Sequence, residues 1–115
     1  MLEIKGKIEK IEKAKITNIV NISILGEDNQ IKIKLELVKK INPFKESDPV
    51  KIVFDTIAKP EKNPKIILHG FIYSITIKEG VKKIVINIGG LRLLIDAPES
   101  FDALTAKSDT IIHFF

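Results

Sequence analysis

Cysteine and tryptophan are absent from this chain, methionine occurs only at position 1, and Tyr73 is the one tyrosine. With no thiol there is no disulfide framework, no thiolate zinc site and no cysteine nucleophile, a usage that suits a reducing cytosol. Metal chemistry would have to rest on His69, His113 and carboxylates. Two histidines without a nearby third ligand are a weaker reading than an ordinary core or interface imidazole, and no cofactor is expected. Long apolar runs are also missing. The longest uncharged apolar run is only a few residues, against the roughly 18 or more that a membrane span requires, and no charged-then-apolar leader opens the sequence. The expectation is a soluble, cytoplasmic protein with no membrane association. Charge of a single sign is scarce as well: the net charge is +4, all of it within residues 1–65. Lysine interleaved with glutamate reads first as a solvated face rather than a nucleic-acid footprint.

What the chain has in quantity is isoleucine, 23 of 115 residues, and lysine, which supplies 18 of the 19 basic residues with Arg92 the exception. Abundant Ile, Lys and Glu with little Gln, Cys or Met fits a heat-adapted proteome. Apolar residues make up 44% and charged residues 30%, enough for one soluble core and too apolar for disorder. No linker and no internal repeat divides the sequence, so residues 1–115 are expected to form one domain.

Alternation of apolar and polar residues is the dominant pattern. Ile16, Asn18, Val20, Ile22 and Ile24 point one way with Thr17, Asn21, Ser23 and Leu25 opposite, which predicts a half-buried strand. Gly26–Gln30 supplies a turn, and Ile31, Ile33, Leu35 and Leu37 alternate with Lys32, Lys34 and Glu36, predicting a hairpin with one wet face. In the first dozen residues Ile4, Ile8 and Ile11 fall out of strand phase, and a bulge near Glu9 or Lys10 would restore it. Pro43 and Pro49 bracket a connection, Val50, Ile52 and Phe54 make a short strand, and residues 55–65 form the longest loop. From Ile66 to Tyr73 the apolar groups occupy both faces, and this reading puts Phe71 and Tyr73, like Phe54, on core-phase positions. Ile84, Ile86 and Ile88 follow a Glu79-Gly80 turn, Gly89-Gly90 breaks or bulges the run, and Leu91–Ile95 continues it. Phe101–Lys107 has room for one helical turn, and Thr110–Phe115 closes the chain as a strand apolar on both faces. About eight short strands at roughly ten-residue spacing indicate an all-β protein, a closed or nearly closed antiparallel barrel.

No serine lies in a Gly-x-Ser-x-Gly turn, and the carboxylates fall on lysine-studded faces or in turns, so no catalytic constellation stands out and no enzyme is expected. Gly89-Gly90 follows a strand as phosphate loops do, but no long helix follows to point its dipole at an anion. Glycines that let a strand bend or another backbone approach are the simpler reading. Barrels of this size often bind single-stranded nucleic acid by stacking bases on aromatics in a basic groove. Here the aromatics are few, and no interleaving of basic and aromatic residues is visible. The surplus of hydrophobicity is more informative. A barrel strand needs only its inner face apolar, yet 66–73, 91–95 and 111–115 carry apolar groups on both. At roughly 1.5 to 3 kcal/mol per large side chain, leaving several of them wet is costly, and a permanent protein partner is inferred.

His69-Gly70-Phe71-Ile72-Tyr73, then Ile86-Asn87-Ile88-Gly89-Gly90-Leu91-Arg92-Leu93-Leu94-Ile95, then Glu99-Ser100-Phe101 and Ile111–Phe115 resemble the second half of the G subunit of archaeal DNA-directed RNA polymerase. That protein is the counterpart of the eighth subunit shared by the eukaryotic nuclear polymerases. The match is most specific over 69–95 and pattern-level over 1–65. The resemblance implies a Greek-key barrel related to the oligonucleotide/oligosaccharide-binding fold, docked on the largest polymerase subunit near its pore and far from the catalytic magnesium. It would be a non-catalytic assembly and stability subunit, touching nucleic acid only indirectly or weakly. The expected contact residues are His69, Gly70, Phe71, Tyr73, Gly89, Gly90, Leu91, Arg92 and Leu93, with Phe114 from the end strand. The glycines would permit close backbone approach, and Phe71 and Tyr73 would serve as core anchors or contact area. Eukaryotic members carry a longer, acidic central loop where this chain has the short, basic 55–65. The rival reading is a free single-strand-binding barrel using the lysines of 5–15 and 32–40.

Overall fold

A computed structural model describes residues 2–55, 63–101 and 104–115. The strands are β1 (Leu2–Lys13), β2 (Ile19–Gly26), β3 (Lys32–Val38), β4 (Pro49–Asp55), β5 (Ile66–Lys78), β6 (Val81–Ile88), β7 (Leu91–Pro98) and β8 (Ser108–Phe114). They close into an antiparallel barrel in the order β1-β2-β3-β7-β6-β5-β8-β4. One 3-10 turn, Lys39–Ile41, is the only helical element among the described residues. The alternation read in the sequence is what fills the barrel. Ile22, Ile24, Ile33, Leu35, Ile52, Phe54, Ile84, Ile86, Leu93, Ile95, Ile112 and Phe114 all point inward and are almost wholly buried. Their β-branched or bulky side chains suit a pleated surface covered on one face.

The winding has a repeat that composition and spacing do not reveal. β1, β2 and β3 form a meander, and a long connection brings β4 back beside β1. β5, β6 and β7 do the same, with β8 returning beside β5. Each half is a Greek key, and the halves join through β3 with β7 and β4 with β8. The correspondence reaches single residues. Ile4-x-Gly6-x-Ile8 in β1 matches Leu68-x-Gly70-x-Ile72 in β5, and each strand then bulges, between Ile8 and Lys10 and between Ile72 and Ser74. After each bulge a residue of positive φ donates its backbone N–H to the bulged strand: Ser47 to the Ile8 carbonyl and Lys107 to the Ile72 carbonyl.

Several expectations shift. The β1 bulge falls where its phase required it, but β2 begins only at Ile19. Ile16 and Asn18 belong to the preceding turn, where Asn18 has positive φ and Ile16 is 69% exposed. Gly89-Gly90 is the two-residue turn of the β6–β7 hairpin, both glycines at positive φ as a primed hairpin turn requires. The described part of Phe101–Lys107 contains turns and no helix, while most of the 55–65 loop lies outside the described residues.

Candidate docking surface

Alternation along β5 divides the expected contact residues into two groups. Leu68, Gly70 and Ile72 point into the barrel, and Ile67, His69, Phe71 and Tyr73 point out. Tyr73 is 57% exposed and Phe71 37%, so both stand on the surface and neither is the core residue that the pattern predicted. The bulge at Ile72/Ser74 is the cause. Counting back by twos from the inner-phase Ile75 lands on Tyr73 and Phe71, but the extra residue reverses that parity.

Gly70 is buried, and a Cβ placed on it would sit 2.6 Å from the Ile86 Cγ2, so the missing side chain makes room for a core neighbour and not for a partner. Leu93 and Phe114 are likewise sealed inside, Phe114 packing edge to face on Phe44 with centroids 5.5 Å apart. Leu93 and Phe114 drop out of the candidate surface because their strand phase aims them at the core, whereas Gly70 lends its main chain to it. His69, Gly70, Phe71, Gly89 and Gly90 come together, lining a shallow cleft of about 300 Å³ with Asn87 and Asp109. The Asn87 Oδ1 accepts from the Gly90 N–H at 3.0 Å and holds the turn in place. Leu91 is half-buried. The Arg92 Nε lies 3.5 Å from the Glu36 carboxylate, which also accepts from the Arg92 backbone N–H, so Arg92 ties β7 to β3 across the barrel's short seam.

Past the bulge, Ile77 continues the inner phase of Ile75 beyond the covered part of the barrel and Val81 stands on the outer phase of β6; both are exposed, so five of the eight large hydrophobic side chains exposed among the described residues lie on this hairpin. Lys107 sets its ammonium 4.3 Å from the Tyr73 ring centroid, and Lys51 approaches the Phe115 ring at 4.9 Å. Basic groups therefore do meet aromatic ones, contrary to the linear reading, because contacts between strands bring them together. His113 is on the outer phase of β8 yet 2% exposed, its ring parallel to that of Phe115.

The main chain offers a second feature that sequence reasoning missed. β8 pairs with β5 only as far as Ile72, and β6 covers the other edge from Phe71 to Lys78. The bulge aligns Ile75 and Ile77 with Ile72, so their N–H and C=O groups point away from β6. In β1 the matching Ile11 N–H is capped by the Glu46 carboxylate at 2.9 Å. Among the described residues no hydrogen bond outside the strand ladder reaches Ile75 or Ile77.

The barrel is thus filled with its own side chains and displays an apolar face and a short open strand edge on one half. A family model for the G subunit (RpbG) of DNA-directed RNA polymerase matches residues 1–112, and the chain belongs to that family. It is thus an RNA polymerase subunit, a component of a hetero-oligomeric complex. No curated protein matches the sequence. Among solved structures it is similar to the cytoplasmic molybdate-binding protein ModG with molybdate bound. The two share 12% identity over 97% of this chain and 88% of that one, with a TM-score of 0.40. That likeness is too loose to bear on ligand or function.

Proposed function

We propose that this chain is a non-catalytic subunit of an archaeal, cytoplasmic DNA-directed RNA polymerase, seated on the largest subunit through the outer face of β5 and supporting assembly and stability of the complex. One comparison within the molecule carries the reading. Where β1 presents Glu3, Lys5, Lys7 and Glu9 to water, the matching outward positions of β5 are Ile67, His69, Phe71 and Tyr73. The two halves share a winding, so the fold does not call for the exchange. Burying that face in a partner removes the exposed apolar area, and the open edge at Ile75 and Ile77 accepts an extended segment by main-chain pairing. The kinship with oligonucleotide-binding barrels belongs to the same reading.

The rival, a free single-strand binder, is weaker. The aromatics of the basic half, Phe44 and Phe54, are both buried in the core, and the ring that does meet this half, Phe115 against Lys51, is half-buried, so the lysines of 5–15 and 32–40 have few platforms on which a base could stack. The test is recovery of the polymerase with a tagged chain. Combining Phe71→Ser and Tyr73→Ser is expected to cut co-purification of the largest subunit about tenfold or more, as truncating central contacts does. The matched pair Lys5→Ser and Lys7→Ser is expected to leave it unchanged. Full recovery with the aromatic pair removed, in a folded chain, overturns the assignment.

A further inference from the structure

The three exposed large hydrophobics that are not on the β5–β6 hairpin are gathered at one end of the barrel. Ile16, in the β1–β2 turn, is 69% exposed, Ile41 is 52% and Val38 is 37%. Their closeness follows from the backbone. Val38 pairs with Ile19, the Ile19 N–H bonds to the Ile16 carbonyl, and the Lys39 N–H donates to the Asn18 carbonyl at 2.7 Å, tying the Lys39–Ile41 turn to the β1–β2 turn. Of the three, Ile16 lines a cleft of about 460 Å³ that runs from Ala14, Lys15 and Ile19 past Glu36 to Leu91 and Arg92 of the β6–β7 hairpin.

The rim of this apolar end is basic. Lys13, Lys15, Lys39 and Lys40 are all exposed, and among the described residues none is in an ion pair. The nearby acids are already engaged, Glu12 with Lys10 and Glu36 with Arg92. The surface is therefore aliphatic at its centre and unneutralised at its edge, and it adjoins the His69–Phe71 cleft at Gly90, which lines both.

We propose that this end of the barrel is a second docking site, taking an acidic polypeptide segment whose apolar side chains enter the cleft while its carboxylates meet the four lysines. Charge complementarity selects the partner. Nucleic acid fits less well, because isoleucine, valine and leucine give bases no π face to stack on. A bilayer fits less well because Ile16, Ile19 and Leu91 line a concave cleft. The subunit then bridges two proteins, with the polymerase on the outer face of β5 and an acidic segment across the seam between the β1–β2 turn and the β6–β7 hairpin. This inference does not require the β5 assignment.

The test is methyl NMR on the full chain titrated with a short synthetic peptide alternating aspartate and leucine. The Ile16, Ile19, Val38 and Ile41 methyl signals are expected to move, and those of Ile67 and Ile77 to stay. Lys13→Glu combined with Lys39→Glu, or Ile16→Ser alone, is expected to weaken binding about tenfold. These positions are exposed, and unchanged signals elsewhere confirm the fold. The proposal is overturned if the peptide leaves the Ile16 and Ile41 methyls unmoved, if a lysine–leucine peptide binds equally well, or if movement is confined to Ile67 and Ile77. It is equally overturned if oligothymidine or phosphatidylglycerol vesicles move the Ile16 and Ile41 methyls and the acidic peptide does not.

Discussion

Gly6 and Gly70 occupy matching places in the two halves, and neither is there for backbone freedom. A Cβ on Gly6 would meet the Leu25 carbonyl oxygen at 2.4 Å, and one on Gly70 would meet the Ile86 Cγ2 at 2.6 Å. Gly70→Ala is therefore expected to destabilise by about 1–3 kcal/mol, the usual cost of an overpacked core. Gly6→Ala is expected to cost at least as much, since its obstacle is main chain and cannot rotate away; urea unfolding measures both. Reading Gly70 as a place for a partner's backbone was reasonable from sequence, where both faces of Ile66–Tyr73 are apolar and parity has no arbiter. The exposed Tyr73 makes the opposite expectation. Tyr73→Ser alone should change the unfolding free energy by about 0.5 kcal/mol or less, as for other surface substitutions, and a larger loss would place that ring in the core after all.

At the scale of elements, the bulges and turns decide what the alternation means. The β1 bulge was legible because Ile4, Ile8 and Ile11 visibly break a period of two. The β5 bulge was not, because Phe71, Tyr73, Ile75 and Ile77 alternate without a break and read as one apolar face straight through the slip. The same limit hid the matching halves, whose inner residues are alike but whose outer ones differ in chemistry. The hairpin turns were plainer. Gly89 and Gly90 both have positive φ with nothing within 4 Å of where a Cβ would stand, so only strain, not collision, opposes a side chain there. Gly90→Val is accordingly expected to cost about 1–3 kcal/mol in thermal unfolding, while Gly89→Asn, the residue such turns favour, should be near neutral. On the open edge, Ile77→Pro removes an N–H that points away from β6. It should preserve the fold while weakening recovery with the polymerase, as proline is tolerated on edge strands. Unfolding by this variant would mean that the N–H belongs to the β5–β6 ladder.

At the scale of the molecule, closure removes most of the strand edges through which β proteins aggregate, while β5 keeps a short stretch beyond Ile72 that β8 does not cover. Two halves of one winding are finished differently, the first with lysine and glutamate, the second with isoleucine and aromatic rings. That difference, more than any pocket, is the basis of the proposed docking face in a family whose members are polymerase subunits. The all-β class, the eight strands and the need for a partner were legible in the sequence, because they depend on period and total apolar content. Which strand faces meet that partner depends on parity, and parity is set by the bulges. The most direct measurement is hydroxyl-radical footprinting of the subunit inside the assembled polymerase against the free chain. Strong protection of Phe71, Tyr73 and Ile77 on assembly, with Leu25 on the outer face of the first half unchanged, is the expected result. Tyr73 and Phe71 as reactive in the complex as in the free chain would contradict the account.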